Sequence, residues 1–182
     1  MTIKLVGNWK SGLAYDVHIL DSTFLGPKNT RSEMGDLVYQ LKYKLDLRVL
    51  KKIIYLLGSI KGIEGFDLIV PMAASNQTRP FQPVTEIAKA LGAARGVTVR
   101  PNLLMKTGPT PQLKNIDDAS ERRAMLKATL RLTSTADLPG TRVLLVDDLF
   151  RSGDSLRAAT ELLVEAGVEQ VSVLTMTKTR NG

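Results

Sequence analysis

Residues 143 to 156 of the chain read VLLVDDLFRSGDSL. An aliphatic run ends on two neighbouring carboxylates, Asp147 and Asp148, and a turn rich in small hydroxyls follows. Two acceptor-only carboxylates side by side can take both hydrogens of a vicinal diol, each charge-assisted bond contributing about 1.5–3 kcal/mol. Residues 151 to 155, Arg-Ser-Gly-Asp-Ser, lie where a strand should give way to a helix. Successive backbone N–H groups and the positive helix end form a nest for an anion there. Gly153 lets the backbone close around an oxyanion, and Ser152 and Ser155 add hydroxyl donors. The bland alternative, one aspartate capping a helix and the other solvated, explains one carboxylate but not the loop. Carboxylates beside a phosphate nest repel phosphate alone. They fit a ligand that also carries hydroxyls or a divalent cation, and a ribose 5-phosphate group has that form.

The elements that must position these groups follow from periodicity. RVLLVDD is a continuous apolar strand, SLRAATELLVEAG a helix ending at Gly167, and QVSVLTM a last strand. Upstream, FDLIVPM reads as a short strand, PVTEIAKALGAA as a helix with proline in its first turn, and VTVRP as another strand. Residues 101 to 135 form a long polar connection with a helix expected from Ala119 to Thr129. Before these, Ser32 reads as an N-cap for a helix through Leu37, Val38, Leu41 and Leu45, and a second helix is expected from about Asp46 to Ile60. The first 25 residues read as a β-hairpin around Lys10-Ser11-Gly12, with Leu13, Tyr15, Val17 and Ile19 alternating onto one side. Apolar strands alternating with helices predict an α/β fold, a parallel sheet covered on both faces. The hairpin is expected as an N-terminal appendage to it.

Composition narrows the partners. At 182 residues the chain fits one domain, expected to span 1–182. The 43% apolar and 24% charged fractions are ordinary for a soluble protein. No apolar run approaches the roughly 18 residues of a membrane span, and MTIKLVGNWK lacks a signal-peptide core. A cytoplasmic protein without a membrane partner is the expectation. With no cysteine there is no thiolate metal site, and the single histidine, His18, rules out a histidine pair. The formal net charge of +7 suits anionic partners, phosphorylated metabolites or nucleic acid. Lys42, Lys44, Arg48, Lys51 and Lys52 concentrate in residues 42–52. That cluster reads either as a solvated helix face or as a nucleic-acid contact. Neither a P-loop nor a GxGxxG fingerprint occurs. GNWK is similar to the opening strand of triosephosphate isomerase, but the chain is too short for the roughly 250-residue barrel.

The strand, acidic pair and loop together resemble the phosphoribosyl-pyrophosphate (PRPP) motif of type I phosphoribosyltransferases. WKSGLAYDVH, DLVYQLKYK, VPMAASNQTRPFQPVTEIAKAL and ASERRAML are similar to the ComF-like branch of that superfamily. The resemblance implies a phosphoribosyltransferase-like fold with an N-terminal extension (1–62) and a PRPP-binding core (63–182). It implies Mg²⁺ as cofactor and a small-molecule acceptor, a nitrogenous base, that displaces pyrophosphate. Asp147 and Asp148 would hold the ribose hydroxyls and, indirectly, the metal; Arg151, Ser152, Gly153, Asp154 and Ser155 would hold the 5′-phosphate. Ala73, Ala74 and Ser75, with Arg79, would meet pyrophosphate. Lys106 would lie in the flexible loop that closes over PRPP, with Lys114, Arg122 and Arg123 as further candidates. The simpler reading of the two arginines is surface pairing with Glu121. Such enzymes cover the acceptor with a hood, for which Trp9, Tyr15, His18 and Phe24 are the available aromatics; packing into a small satellite core is the alternative. Homodimers are common in the superfamily.

Two departures stand out. Arg151 and Ser152 replace the commoner threonines and keep donors, whereas Asp154 puts a carboxylate into a phosphate loop. It is expected to cap the next helix with Arg151 offsetting its charge, or else to occupy the loop amides and weaken phosphate binding. The cysteine-rich zinc module of many ComF proteins has no counterpart, so zinc-dependent partner binding is not implied. The resemblance leaves open a non-catalytic alternative, a PRPP or nucleotide sensor that acts in DNA uptake or processing through nucleic acid or protein.

Overall fold

The computed structural model describes residues 2–21, 30–74, 78–108, 116 and 118–180. Its centre is a six-stranded sheet in the order β1-β2-β10-β9-β5-β6. These strands are β1 (Ile3–Lys4), β2 (Ser11–Val17), β5 (Leu68–Pro71), β6 (Thr98–Val99), β9 (Arg142–Phe150) and β10 (Gln170–Lys178). All neighbours run parallel except β1 against β2. The remaining strands are β3 (Ile19–Asp21) with β4 (Thr30–Arg31), and β7 (Leu104–Lys106) with β8 (Leu130–Leu132), each pair a small antiparallel ribbon.

The unbroken apolar run of β9 is explained by burial on both faces. Val143 and Leu145 point into one core, Leu144 and Val146 into the other. Each fully buried aliphatic side chain of this size contributes about 1.5–3 kcal/mol. Helices α1 (Glu33–Tyr43), α2 (Leu50–Leu57) and α3 (Pro83–Arg95) cover the second face through Val38, Leu41, Ile53, Leu57, Ile87 and Leu91. Helices α4 (Ala119–Ala128) and α5 (Asp154–Glu165), the β7–β8 ribbon and Trp9 cover the first.

The hairpin is not an appendage. β2 pairs along its length with β10, from Ser11↔Ser172 to Val17↔Lys178, and so extends the parallel sheet by one strand. Its turn lies before Lys10-Ser11-Gly12, because Ser11 and Gly12 already belong to β2 and Leu5 N–H donates to the Gly12 carbonyl at 2.8 Å. Alternation holds only to Val17; a break at His18 separates β3. Ser32 caps α1, its Oγ accepting from Gly35 N–H at 3.0 Å. The expected 46–60 helix begins later as α2. Leu45 takes a left-handed φ of 55° after α1, and Asp46 caps a short 3-10 turn at Leu47–Val49.

Within the 101–135 connection, α4 falls where periodicity placed it. The β7–β8 ribbon flanking it was not anticipated, since three-residue strands are too short to show alternation. Among the described residues, no helix is long and apolar enough to cross a membrane.

Candidate active site

β9 continues past the acidic pair to Phe150, so Asp147 and Asp148 lie within a strand rather than at its end. On one side β10 accompanies it to Phe150↔Lys178. On the other, β5 stops at Pro71↔Val146, and the Met72 N–H makes the last contact, to the Val146 carbonyl at 2.8 Å. That early stop opens a cleft beside the pair. Adjacent strand residues point to opposite faces, so Asp148 turns toward the α1–α3 layer and Asp147 toward the β7–β8 layer.

Each carboxylate therefore meets a different lysine. Lys42 Nζ, in the last turn of α1, lies 2.5 Å from Asp148 Oδ2, and the side chains are 26% and 11% exposed. Lys106, on β7, interacts with Asp147, whose charge opposes the lowering of the Lys106 ammonium by burial. The Asp148 N–H donates to Asp147 Oδ1 at 2.9 Å, and the Thr177 hydroxyl donates to the Asp148 carbonyl at 3.1 Å.

Part of Asp147 remains open to the cleft, yet protein surrounds it on most sides. Burial first, and the Asp148 charge second, push its carboxyl up from 3.8 to about 7, with Lys42 and Lys106 pulling the other way. Between those values the folded chain holds a proton that the unfolded chain has released, so stability falls as pH rises through the window. Asp147→Asn keeps the Oδ1 acceptor and loses the charge. It should be more stable than the parent by about 2–4 kcal/mol above pH 7, with the gap closing toward pH 4. Thermal melts across that range check this; a gap that widens on acidification contradicts it.

The loop beyond β9 is braced from behind. Gly153 takes φ 79° as the N-cap of α5. Arg157 Nη1 donates to the Ser152 carbonyl at 2.6 Å and Nη2 to the Val6 carbonyl at 2.9 Å, while its guanidinium lies 5.6 Å from the Trp9 ring centre. Trp9 in turn meets Phe150 edge-on at 6.3 Å. Ser152 O is tied back, the Asp154 N–H faces Ser152 Oγ at 3.5 Å, and the amides of Ser155 and Leu156 in the first turn of α5 have no intrahelical partner.

Asp154 is the first residue of α5, and its carboxylate accepts from Ser152 Oγ at 2.8 Å. Arg122 (3.5 Å) and Arg157 (3.8 Å) offset its charge, not Arg151. Arg122 and Arg123 accordingly pair with Asp154 and Glu161 of α5, not with Glu121.

The cleft has two adjoining lobes that share Lys42, Tyr43, Met72, Ala73, Asp147 and Asp148. One, of about 270 Å³, runs to Lys106, Arg151 and Ser155; the other, of about 300 Å³, runs to Ala74, Arg79, Gln82 and Val84. Ser152, Gly153 and Asp154 shape the loop without lining either lobe. Ser75, Lys114 and Phe24 lie outside the described residues.

Of the four hood candidates, Trp9 and Tyr15 take the core-packing alternative. Trp9 is buried and donates from Nε1 to the Leu5 carbonyl at 3.2 Å, Tyr15 packs on the second core, and His18 Nδ1 sits 3.2 Å from the Thr177 hydroxyl. Tyr43, missed in the sequence, lines both lobes and is 62% exposed; Tyr39 lies 5.1 Å behind it and Arg79 5.9 Å over its ring. Its only sequence signal was an aromatic next to Lys42 at a helix end. The basic cluster is dispersed as well: Lys42 pairs with Asp148, Arg48 with Asp46 and Lys52 with Glu33.

Residues 83–181 match the model of the phosphoribosyl transferase domain, and the chain belongs to that family. Orotate phosphoribosyltransferase from Aeropyrum pernix shares the fold with a TM-score of 0.50 at 17% identity, over 91% of this chain and 78% of that one. Adenine phosphoribosyltransferase from Thermoanaerobacter pseudethanolicus aligns with a TM-score of 0.48 at 20% identity, over 74% and 83%. The adenine enzyme of Saccharomyces cerevisiae gives 0.47 at 18%, over 74% and 72%. No curated protein matches the chain.

Proposed function

We propose that the chain is a phosphoribosyltransferase that binds PRPP with Mg²⁺ and passes the 5-phosphoribosyl group to a nitrogenous base. The observation that carries this reading is the acidic pair at the open edge of β9, between a lobe running to the α5 amide cup and a lobe walled by Ala73, Ala74 and Arg79. The ribose diol would lie on Asp147 and Asp148. Its 5′-phosphate would meet Arg151, Ser155 and the first-turn amides, and its pyrophosphate Ala73, Ala74 and Arg79, with Lys106 closing from β7.

Two carboxylates and no larger acidic cluster among the described residues suit a cation that keeps waters and phosphate oxygens as ligands. Bound there beside Asp147 and Asp148, Mg²⁺ would supply charge neutralisation for the departing pyrophosphate. The C1–O bond breaks with its electron pair leaving on pyrophosphate, the acceptor nitrogen forms the new bond to C1, and its proton passes to solvent. Positioning and electrostatics supply the catalysis, the acidic pair facing the cationic sugar as it forms.

The acceptor would stack on the exposed face of Tyr43, with the Gln82 amide for its polar edge. Base–aromatic stacking is worth about 1–3 kcal/mol, so Tyr43→Ala should raise KM for the acceptor roughly 5–100-fold while PRPP affinity holds. An equal loss for both substrates would deny Tyr43 an acceptor-specific role. The direct test of the activity is incubation with PRPP, Mg²⁺ and a panel of bases, reading pyrophosphate release. Release that requires one base names the acceptor.

Membership of the ComF-like branch, cytoplasmic placement and the sensor alternative belong to the same proposal. What favours the sensor is the exposure of Leu45, Leu47 and Tyr55 in the N-terminal helical segment, which also exposes Lys44 and Lys51. PRPP binding without turnover on any base supports it. Nucleic-acid affinity falling with salt, and losing that slope when Lys44 and Lys51 are neutralised, would name the partner.

A further inference from the structure

We propose that Lys42 is a ligand-exchanged cation: it holds Asp148 in the free protein and, displaced by the ribose diol, moves to the pyrophosphate of PRPP. This role rests on the PRPP reading of the site. Lys42 stands at the C-terminal end of α1 with Nζ 2.5 Å from Asp148 Oδ2, and it lines both lobes together with Ala73, Asp147 and Asp148. One oxygen of the carboxylate that a diol hydroxyl must reach, Asp148 Oδ2, is therefore already held by an ammonium.

A neutral hydroxyl is a weaker partner for Asp148 than a lysine, and a half-buried ammonium released without an acceptor is costly. Both penalties are offset when the same ligand brings an anion into the lobe. PRPP does so, because its pyrophosphate leaves C1 beside the diol, toward Ala73. Ribose 5-phosphate carries its only anion at the opposite end, near Arg151 and Ser155. Lys42 thus makes occupation of the acidic pair conditional on pyrophosphate, and discriminates the substrate from its relative that lacks pyrophosphate. On the α1–α3 side Lys42 is the cation in contact with Asp148, with Arg79 lining the same lobe, while Asp147 and Lys106 occupy the other face of β9.

The test is titration calorimetry of the full chain with PRPP and, separately, with ribose 5-phosphate, both with Mg²⁺, comparing the parent with Lys42→Met and Lys42→Arg. Lys42→Met should lower the ratio of PRPP to ribose 5-phosphate affinity at least tenfold, with PRPP weaker and ribose 5-phosphate unchanged or tighter. Lys42→Arg should keep most of the ratio. Melting temperatures report folding, and the arginine variant stands if the methionine variant unfolds: loss of the ratio in a folded Lys42→Arg with ribose 5-phosphate binding intact would count against a transferable charge. Equal weakening of both ligands reduces Lys42 to a structural partner of Asp148 and overturns the proposal, as does no change for either. A parent that binds neither ligand sinks the PRPP reading itself, a different failure.

Discussion

Asp147→Asn combined with Asp148→Asn should abolish PRPP binding at accessible concentrations while the chain stays folded. Each charge-assisted bond to a diol hydroxyl contributes about 1.5–3 kcal/mol, so losing both costs on the order of 10²–10⁴-fold in affinity. The fold should survive for local reasons. The side-chain amide oxygen introduced at position 147 keeps an acceptor for the backbone N–H of residue 148, and removing two adjacent charges relieves the repulsion that lifts the Asp147 carboxyl. Lys42 loses the charge of its partner, but asparagine at position 148 keeps a side-chain oxygen that can accept from it. Calorimetry with PRPP and Mg²⁺ decides the matter, and unchanged binding would defeat the transferase and the sensor alike.

Gly153→Ala should damage both the loop and its ligand. The left-handed φ of 79° costs an L side chain about 1–2 kcal/mol. A Cβ there would also stand 2.6 Å from Phe150 Cε2, 2.8 Å from Phe150 Cζ and 2.9 Å from Arg157 Nη1. Neither neighbour yields freely. Phe150 is buried against Trp9, and Arg157 straps the Ser152 carbonyl to Val6. Overpacking of this kind adds roughly 1–3 kcal/mol, so the melting temperature should fall by on the order of 10 °C. Because the displaced Arg157 is what holds Ser152 O away from the amide cup, ribose 5-phosphate affinity should drop as well, by roughly tenfold or more for a lost charge-assisted bond. Thermal unfolding together with a ribose 5-phosphate titration checks this. A variant that melts and binds like the parent would mean that the loop does not need this conformation.

The core of the fold was legible because it is written in local patterns. The apolar run of β9, the proline at the start of α3 and the Ser32 cap each act on their own neighbourhood. The acidic pair and its loop were legible for the same reason, being contiguous in sequence. What escaped were long-range consequences. Nothing local tells β2 that its partner is β10, with Ser11 and Ser172 lying 161 residues apart, so the hairpin read as an appendage. Lys42 looked like one of five surface charges because its partner, Asp148, is 106 residues distant. Arg122 and Arg123 looked paired with Glu121 because it is next to them, while the carboxylates they meet are on α5. Tyr43 needed the position of α1 over the cleft, a packing outcome set by the buried Val38 and Leu41 on its other face.

The central claim is that one pentose spans the site, its diol on the acids of β9 and its phosphate in the cup before α5. The most direct measurement is a crystal structure with PRPP and Mg²⁺. Both hydroxyls should lie within hydrogen-bond distance of Asp147 and Asp148, the 5′-phosphate on Arg151, Ser155 and the first-turn amides of α5, and Lys42 should have turned from Asp148 to pyrophosphate. Density for PRPP elsewhere, or Asp148 still closed on Lys42 with the sugar bound, would contradict it.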